Sequence, residues 1–238
     1  MHRHTVVATS FHMINGRVRA FSAHMERLVT QIPATAAYED EIRARLRSAG
    51  PDVFVTILAE NHGFNVEARP SRPFSPTITV DAHGHADERE SPGVRGRDQA
   101  WQSSTHAASR RRGADTGLLI NERGRAISPI EGSFLVLRGD MVFHSTHERA
   151  LPSVSEAPVM NYLLTQGATP KARPDGFDIE EMRSAEVWFI SSFRGIQLVE
   201  AWVEYGSVFR IGEKRPVAAF MPTFSEVNQH LWDEAETV

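Results

Sequence analysis

The chain has 238 residues, of which 41% are hydrophobic and 24% charged, the proportions of an ordinary folded protein with one large domain or two smaller ones. Its net charge of −4 gives no basic face for nucleic acid, and it has no cysteine, which removes disulfides, thiolate nucleophiles and cysteine metal sites. No apolar run reaches membrane-spanning length and no signal-peptide core is seen, so the reading is a cytoplasmic protein with no membrane partner. Only two of the 26 basic residues are lysines, Lys171 and Lys214, so amines for imine chemistry are scarce.

In chain order, Thr5 to Met13 reads as a strand, Asn15-Gly16 as a tight hairpin turn and Val18 to Phe21 as the return strand. Ser22 is the expected N-cap of a helix through Leu28, and a second helix spans Tyr38 to Ser48 with Ile42 and Leu46 four apart. Strands follow at Val53–Glu60, Phe64–Ala68 and Thr77–Asp81. Together 1–81 form an α+β N-terminal domain. Ala82 to Arg97, rich in His, Gly, Pro and charge, reads as a solvated connection between domains.

The remaining 98–238 read as a C-terminal α/β domain. A helix from Asp98 to Arg112 precedes strands at Gly117–Asn121, Arg125–Ile127, Ser133–Arg138 and Met141–His144. Helices are expected after Pro152 to Gln166 and over Asp178–Ser184. Strands at Val187–Ser191, Ile196–Trp202 and Val208–Ile211 then lead to a helix over Ser225–Glu236. Trp188, Phe189 and Trp202 sit in buried-strand patterns and are expected in the core.

Five segments in fixed order resemble the pyridoxal-phosphate fold-type-IV proteins, the class-IV aminotransferases and aminodeoxychorismate lyases. They are Asn15-Gly16-Arg17 with His24 and Arg27-Leu28, Gly113-Ala114-Asp115 with Asn121-Glu122-Arg123-Gly124, the Ser133-Phe134-Leu135-Val136 strand, Leu151-Pro152-Ser153-Val154-Ser155, and Glu186 to Gly195. The resemblance runs from about residue 5 to residue 212. It implies a two-domain α/β architecture with a cleft between the domains, and a homodimer. It places Arg27 at the phosphate, Val154 and Ser155 at a helix N-terminus that favours an anion, and Ser153 and Ser192 beside them.

Two departures from the family touch the same chemistry. The family's lysine segment reads Pro92-Gly93-Val94-Arg95-Gly96-Arg97-Asp98 here, so Arg95 stands at the lysine. A guanidinium stays protonated and has no nucleophilic lone pair. The glutamate that keeps the pyridine nitrogen protonated corresponds to Ser128, a hydroxyl without the charge. Glu156 also brings a negative charge beside the helix end.

The resulting expectation is a repurposed, cofactor-free enzyme of specialised metabolism. Its ligand is a small anionic metabolite, amino-acid-like or chorismate-like, with Arg95 and Ser128 at the reacting centre and Arg27, Ser153, Val154, Ser155 and Ser192 on the anion. Two alternatives are a non-catalytic ligand- or partner-binding family member, and a pyridoxal-phosphate enzyme that holds the cofactor non-covalently. No metal site is expected: His83, His85, Asp87 and Glu88, and His144, His147 and Glu148, lack the helical spacing of a metalloprotease pair. Ser104, His106 and Asp115 lack the strand-turn-helix setting of a serine nucleophile.

Overall fold

The computed structural model describes residues 6–211 and 216–238; the readings at Thr5 and Lys214 lie outside the described residues. The first strand, β1 (Val7–Ile14), turns through Asn15 and Gly16 into β2 (Arg17–Val18). Both turn residues have positive φ, 50° and 72°, the left-handed pair of a two-residue hairpin. Next come α1 (Phe21–Gln31), a 3-10 segment (Pro33–Tyr38), α2 (Glu39–Arg47), β3 (Asp52–Glu60) and β4 (Gly63–Pro70).

Period-two alternation gives β1 and β3 two different faces. Val7, Phe11 and Met13 on β1 and Val53, Val55 and Ile57 on β3 pack in one core with Phe21, Met25 and Leu28 of α1 and Ile42 and Leu46 of α2. The intervening Ala8 and Ser10, with Phe54, Thr56 and Leu58, line a hollow on the opposite face.

α1 corrects one expectation. Ser22 lies inside its first turn, and the capping acceptor is distant: Glu236 accepts hydrogen bonds from the Ser22 N–H (3.0 Å) and from its hydroxyl. A carboxylate there faces the positive end of the helix dipole. Glu236 belongs to a two-residue strand that pairs with β2 and closes the first sheet from the far end of the chain.

β5 (Thr77–Ala86) opens the second half and also departs from the sequence reading. It is one ten-residue strand in the second sheet, so His83 to Ala86 are strand rather than solvated connection. Its neighbours explain this: it runs parallel to both β6 (Thr116–Ile120) and β12 (Gly195–Glu204), and Val80, Asp81 and Ala82 are buried.

Between these strands lie α3 (Gln99–Arg111), β7 (Ala126–Pro129), β8 (Ser133–Arg138), β9 (Met141–Ser145), α4 (Glu156–Thr165), β10 (Thr169–Arg173), α5 (Ile179–Arg183) and β11 (Glu186–Ser191). After β12 come β13 (Ser207–Arg210), α6 (Phe224–Asp233) and β14 (Glu236–Thr237). The sheet order is β10-β9-β8-β11-β12-β5-β6-β7, with β13 beside β12.

Both faces of this sheet are covered. Phe134, Val136, Val187, Phe189 and Trp202 enter one core. Leu135, Leu137, Trp188 and Ile190 enter another with Val159 and Leu163 of α4 and Val227 of α6. Burial on both sides is why these strands are continuous apolar runs rather than alternating ones. No helix among the described residues is long and apolar enough to cross a membrane.

Candidate active-site cleft

The cleft is built where the cleft-facing side of β1 meets the ends of β7 and β11 and the loop entering α4. A small cavity of about 60 Å³ is lined by Ser10, Arg27, Arg95, Ser128, Ser153 and Ser192, among others. It shares Ser10, Arg95, Gln102 and Glu131 with a hollow of about 450 Å³. On its other side it shares Ser128, Pro152 and Ser153 with one of about 510 Å³.

Arg27 reaches the cavity from α1, and its guanidinium donates to the Pro152 carbonyl. Arg95 is held by its backbone: its carbonyl accepts from the Ala8 N–H at 2.9 Å. The next residue, Gly96, has φ +103°, and a Cβ there would lie 3.0 Å from the Ala8 Cβ, so this turn against β1 requires glycine. Neither Arg27 nor Arg95 has a carboxylate partner among the described residues.

The electrostatics reflect that imbalance. Burial, then the charge of Arg95, lowers Arg27 to a pKa of about 10. Burial alone brings Arg19, which packs over the Trp232 ring, to about 10. His24, buried on α1 and 2.6 Å from the Thr9 hydroxyl, is pushed down to about 3 by burial and then by Arg27, Arg19 and Arg95. It is therefore a neutral ring behind three cations.

His24 has a measurable consequence for stability. The unfolded imidazole takes a proton near pH 6.5, whereas the folded one resists it until about 3. The unfolded state thus binds more protons between these values, and stability present above pH 6.5 is lost as pH falls through that window, by on the order of a few kcal/mol. The melting temperature of the wild type should fall on acidification from pH 6.5, and that of His24→Gln should fall less. Equal slopes for the two proteins would sink this assignment.

The loop into α4 supplies hydroxyls. The Ser155 and Ser192 hydroxyls lie 2.7 Å apart, one donating to the other. Ser153 accepts from the Glu156 N–H at 3.2 Å, and Glu156 turns its carboxylate toward His144, 3.6 Å away. Glu156 and His144 both line the 510 Å³ hollow, so the negative charge read from sequence stays beside the helix end. Ser128, on β7, is 8% exposed and lines both the small cavity and the 510 Å³ hollow.

All seven residues singled out from sequence therefore fall in one place. Arg27, Arg95, Ser128, Ser153, Val154 and Ser192 line the small cavity, and Ser155 touches Ser192. Sequence reasoning missed Ser10, Gln102, Glu131 and Arg89, which line the same wall. Ser10 was accessible in principle, since β1 alternation puts it opposite Phe11.

Other constellations separate. Ser104 donates to the Trp101 carbonyl and Asp115 accepts from the Thr79 N–H, so Ser104, His106 and Asp115 form no relay. His85, Ser109, Asp81 and Arg112 do meet. The fully buried Asp81 accepts from Ser109 (2.9 Å) and Arg112 (2.8 Å), which fixes α3 on β5. Lys171 is exposed on β10, which pairs only with β9 in the sheet, and lines none of these cavities.

No family model and no curated protein matches the sequence. Solved structures do match. A fold-IV transaminase from Curtobacterium pusillum superposes with a TM-score of 0.72 at 19% identity, over 95% of this chain and 86% of that one. The 4-amino-4-deoxychorismate lyase of Pseudomonas aeruginosa gives 0.72 at 16%, over 98% and 94%. The branched-chain aminotransferase of Thermobaculum terrenum, in its pyridoxal-phosphate form, gives 0.70 at 15%, over 96% and 85%.

The chain has the fold of the fold-type-IV aminotransferases and aminodeoxychorismate lyases.

That likeness corrects the expectation of a cofactor-free cleft, because a protein of this fold is seen in its pyridoxal-phosphate form. The residues present fit such a group at one end only. The half-buried Arg27, without a carboxylate partner among the described residues, and the paired Ser155 and Ser192 hydroxyls suit a phosphate. At the other end the cavity presents Arg95 and Ser128, with no lysine amine among the described residues that line it.

Proposed function

We propose that the cleft binds pyridoxal phosphate through its phosphate group without a covalent link to the chain, and that the complex acts on a small anionic metabolite, amino-acid-like or chorismate-like. The observation behind this reading is the set of arginines, Arg19, Arg27 and Arg95, gathered around neutral His24 beside a hydroxyl-lined helix start. Half-buried cations without carboxylate partners repel one another, and a dianion offsets that repulsion.

When bound, the cofactor supplies an electron sink at its ring. The chain's own residues do the rest. Arg27 and the α4 N-terminus hold the phosphate, with Ser155 and Ser192 donating to its oxygens. Ser128 offers the ring nitrogen a hydrogen bond but no charge, which makes the sink weaker than a carboxylate partner would. Arg95 keeps a positive charge next to the reacting centre and attracts a substrate carboxylate. It cannot exchange a proton there, since a guanidinium stays protonated. Glu131 borders both the small cavity and the 450 Å³ hollow, and is the residue proposed to accept one.

The same residues favour a second reading, a ligand-binding protein without turnover, because no lysine lines the small cavity among the described residues and Ser128 stands where the resemblance puts the ring-nitrogen carboxylate. Titration with pyridoxal phosphate, followed by borohydride reduction and mass spectrometry of the intact chain, tests the cofactor claim. Saturable binding, release on dialysis and an unchanged chain mass are expected. A chain carrying reduced cofactor, or no saturable binding, overturns it. Conversion of an amino-acid panel by the loaded protein then separates turnover from binding alone.

A further inference from the structure

Within the stretch Asp87 to Glu90, read from sequence as solvated, two side chains are buried and paired while Glu88 and Glu90 are exposed. The Asp87 side chain is 2% exposed and that of Arg89 4%. Asp87 takes both Arg89 Nε (2.8 Å) and Arg89 Nη2 (2.8 Å) in a two-pronged pair, and also accepts from Arg149 Nε at 2.9 Å. Arg149 in turn donates to the Asp87 and Arg89 carbonyls, and Arg89 Nη2 donates to the Arg149 carbonyl at 2.6 Å. One carboxylate thus holds two arginines, and Asp98 and Glu148 lie near enough to act on Arg149 as well.

Arg89 is also part of the cavity wall shared by Arg27 and Arg95. Its Nε and Nη2 are committed to Asp87 and to the Arg149 carbonyl, whereas its Nη1 has no hydrogen-bond partner among the described residues. With Arg89 in the cavity wall, Nη1 is the donor left over for a ligand there. A guanidinium fixed along one edge by a carboxylate presents its other edge as a pre-oriented donor, with little rotamer entropy left to lose on binding.

We infer that Arg89 is a direct anion-binding residue of the cleft, donating through Nη1 to the same oxyanion as Arg27 and held in place by Asp87 and Arg149. The ligand group is a phosphate, inorganic or esterified. A cavity of about 60 Å³ has room for that group but not for a larger body, which extends into the neighbouring hollows. The cluster has a second effect, because it ties the segment that leads to Arg95 to the loop that leads to Ser153 and Ser155. Both halves of the anion site are thereby set by one buried carboxylate. This inference rests on the anion-pocket reading above, and its test separates the two.

The test is calorimetric titration of the full chain with inorganic phosphate and, separately, with pyridoxal phosphate. Arg89→Met alone leaves Asp87 short of a partner and risks misfolding, so the decisive protein is the double variant Asp87→Asn/Arg89→Met, which removes both charges. Circular dichroism confirms that it folds. At least tenfold weaker binding of both ligands is expected in the double variant. Arg149→Met, which leaves the Asp87–Arg89 pair intact, is expected to weaken both by less. Wild-type affinity in the folded double variant overturns the role of Arg89 while leaving the anion pocket standing. Failure of the wild type itself to bind either ligand saturably overturns the pocket, and this inference with it. Should the double variant not fold, Arg89→Lys in the wild-type background gives the same decision: it keeps the charge but loses the forked pairing, and an affinity equal to wild type would sink the inference.

Discussion

Arg27→Met is expected to weaken pyridoxal phosphate binding by about a hundredfold, or ~2.8 kcal/mol. The reasoning starts from the side chain's position. Arg27 is held in the cavity wall by one protein contact, to the Pro152 carbonyl, and faces no carboxylate among the described residues. A phosphate there gains charge-assisted hydrogen bonds, each worth about 1.5–3 kcal/mol in net terms. The folded state should tolerate the change. Arg27 is already disfavoured by burial and by the charge of Arg95, so removing it relieves repulsion while giving up one hydrogen bond. The expected outcome is thus a large loss of affinity by calorimetry with little change in melting temperature. A large fall in melting temperature with affinity retained would assign Arg27 a structural role.

Arg95→Lys is the complementary gain. An amine at that position is flanked by Arg27 and partly desolvated, and both influences lower its pKa toward the free-base form that attacks a carbonyl. The variant loaded with pyridoxal phosphate should turn yellow, and borohydride should then fix the cofactor on the chain, which intact-mass spectrometry detects. The wild type under the same treatment should remain unmodified. Adding Ser128→Glu supplies a carboxylate at the ring-nitrogen position and should slow cofactor loss on dialysis. A variant that binds the cofactor saturably but is never labelled would show that residue 95 does not face the cofactor's carbonyl.

The two experiments divide the site by its two ends. In the proposed reading Arg27 and the α4 hydroxyls form the phosphate end, where a half-buried arginine meets a hydroxyl pair. In the same proposal Arg95 and Ser128 form the reacting end, a permanent cation and a hydroxyl at the places where the family resemblance puts an amine and a carboxylate. A cofactor kept at one end and altered at the other fits binding without covalent attachment better than a cleft that dispenses with the cofactor.

Much of this was legible in the sequence because it depends on local patterns. Apolar runs marked β8 and β11, the Asn15-Gly16 hairpin followed from backbone preference, and ordered motifs placed Arg27, Arg95, Val154, Ser155 and Ser192 along the chain. Tertiary structure alone decided three things. It put Glu236 at the start of α1, over a separation of more than two hundred residues, where no local signal can indicate a cap. It made β10 and β14 strands although Thr-Pro-Lys-Ala-Arg and Glu-Thr show no apolar alternation, since their hydrogen bonds come from β9 and β2. And it buried Asp87 and Arg89. A polar, Gly- and His-rich stretch looks solvated because charge and burial are normally opposed. Only the fold brings Arg149 across to neutralise the carboxylate from a second side, and so turns that stretch into part of the wall facing Arg27.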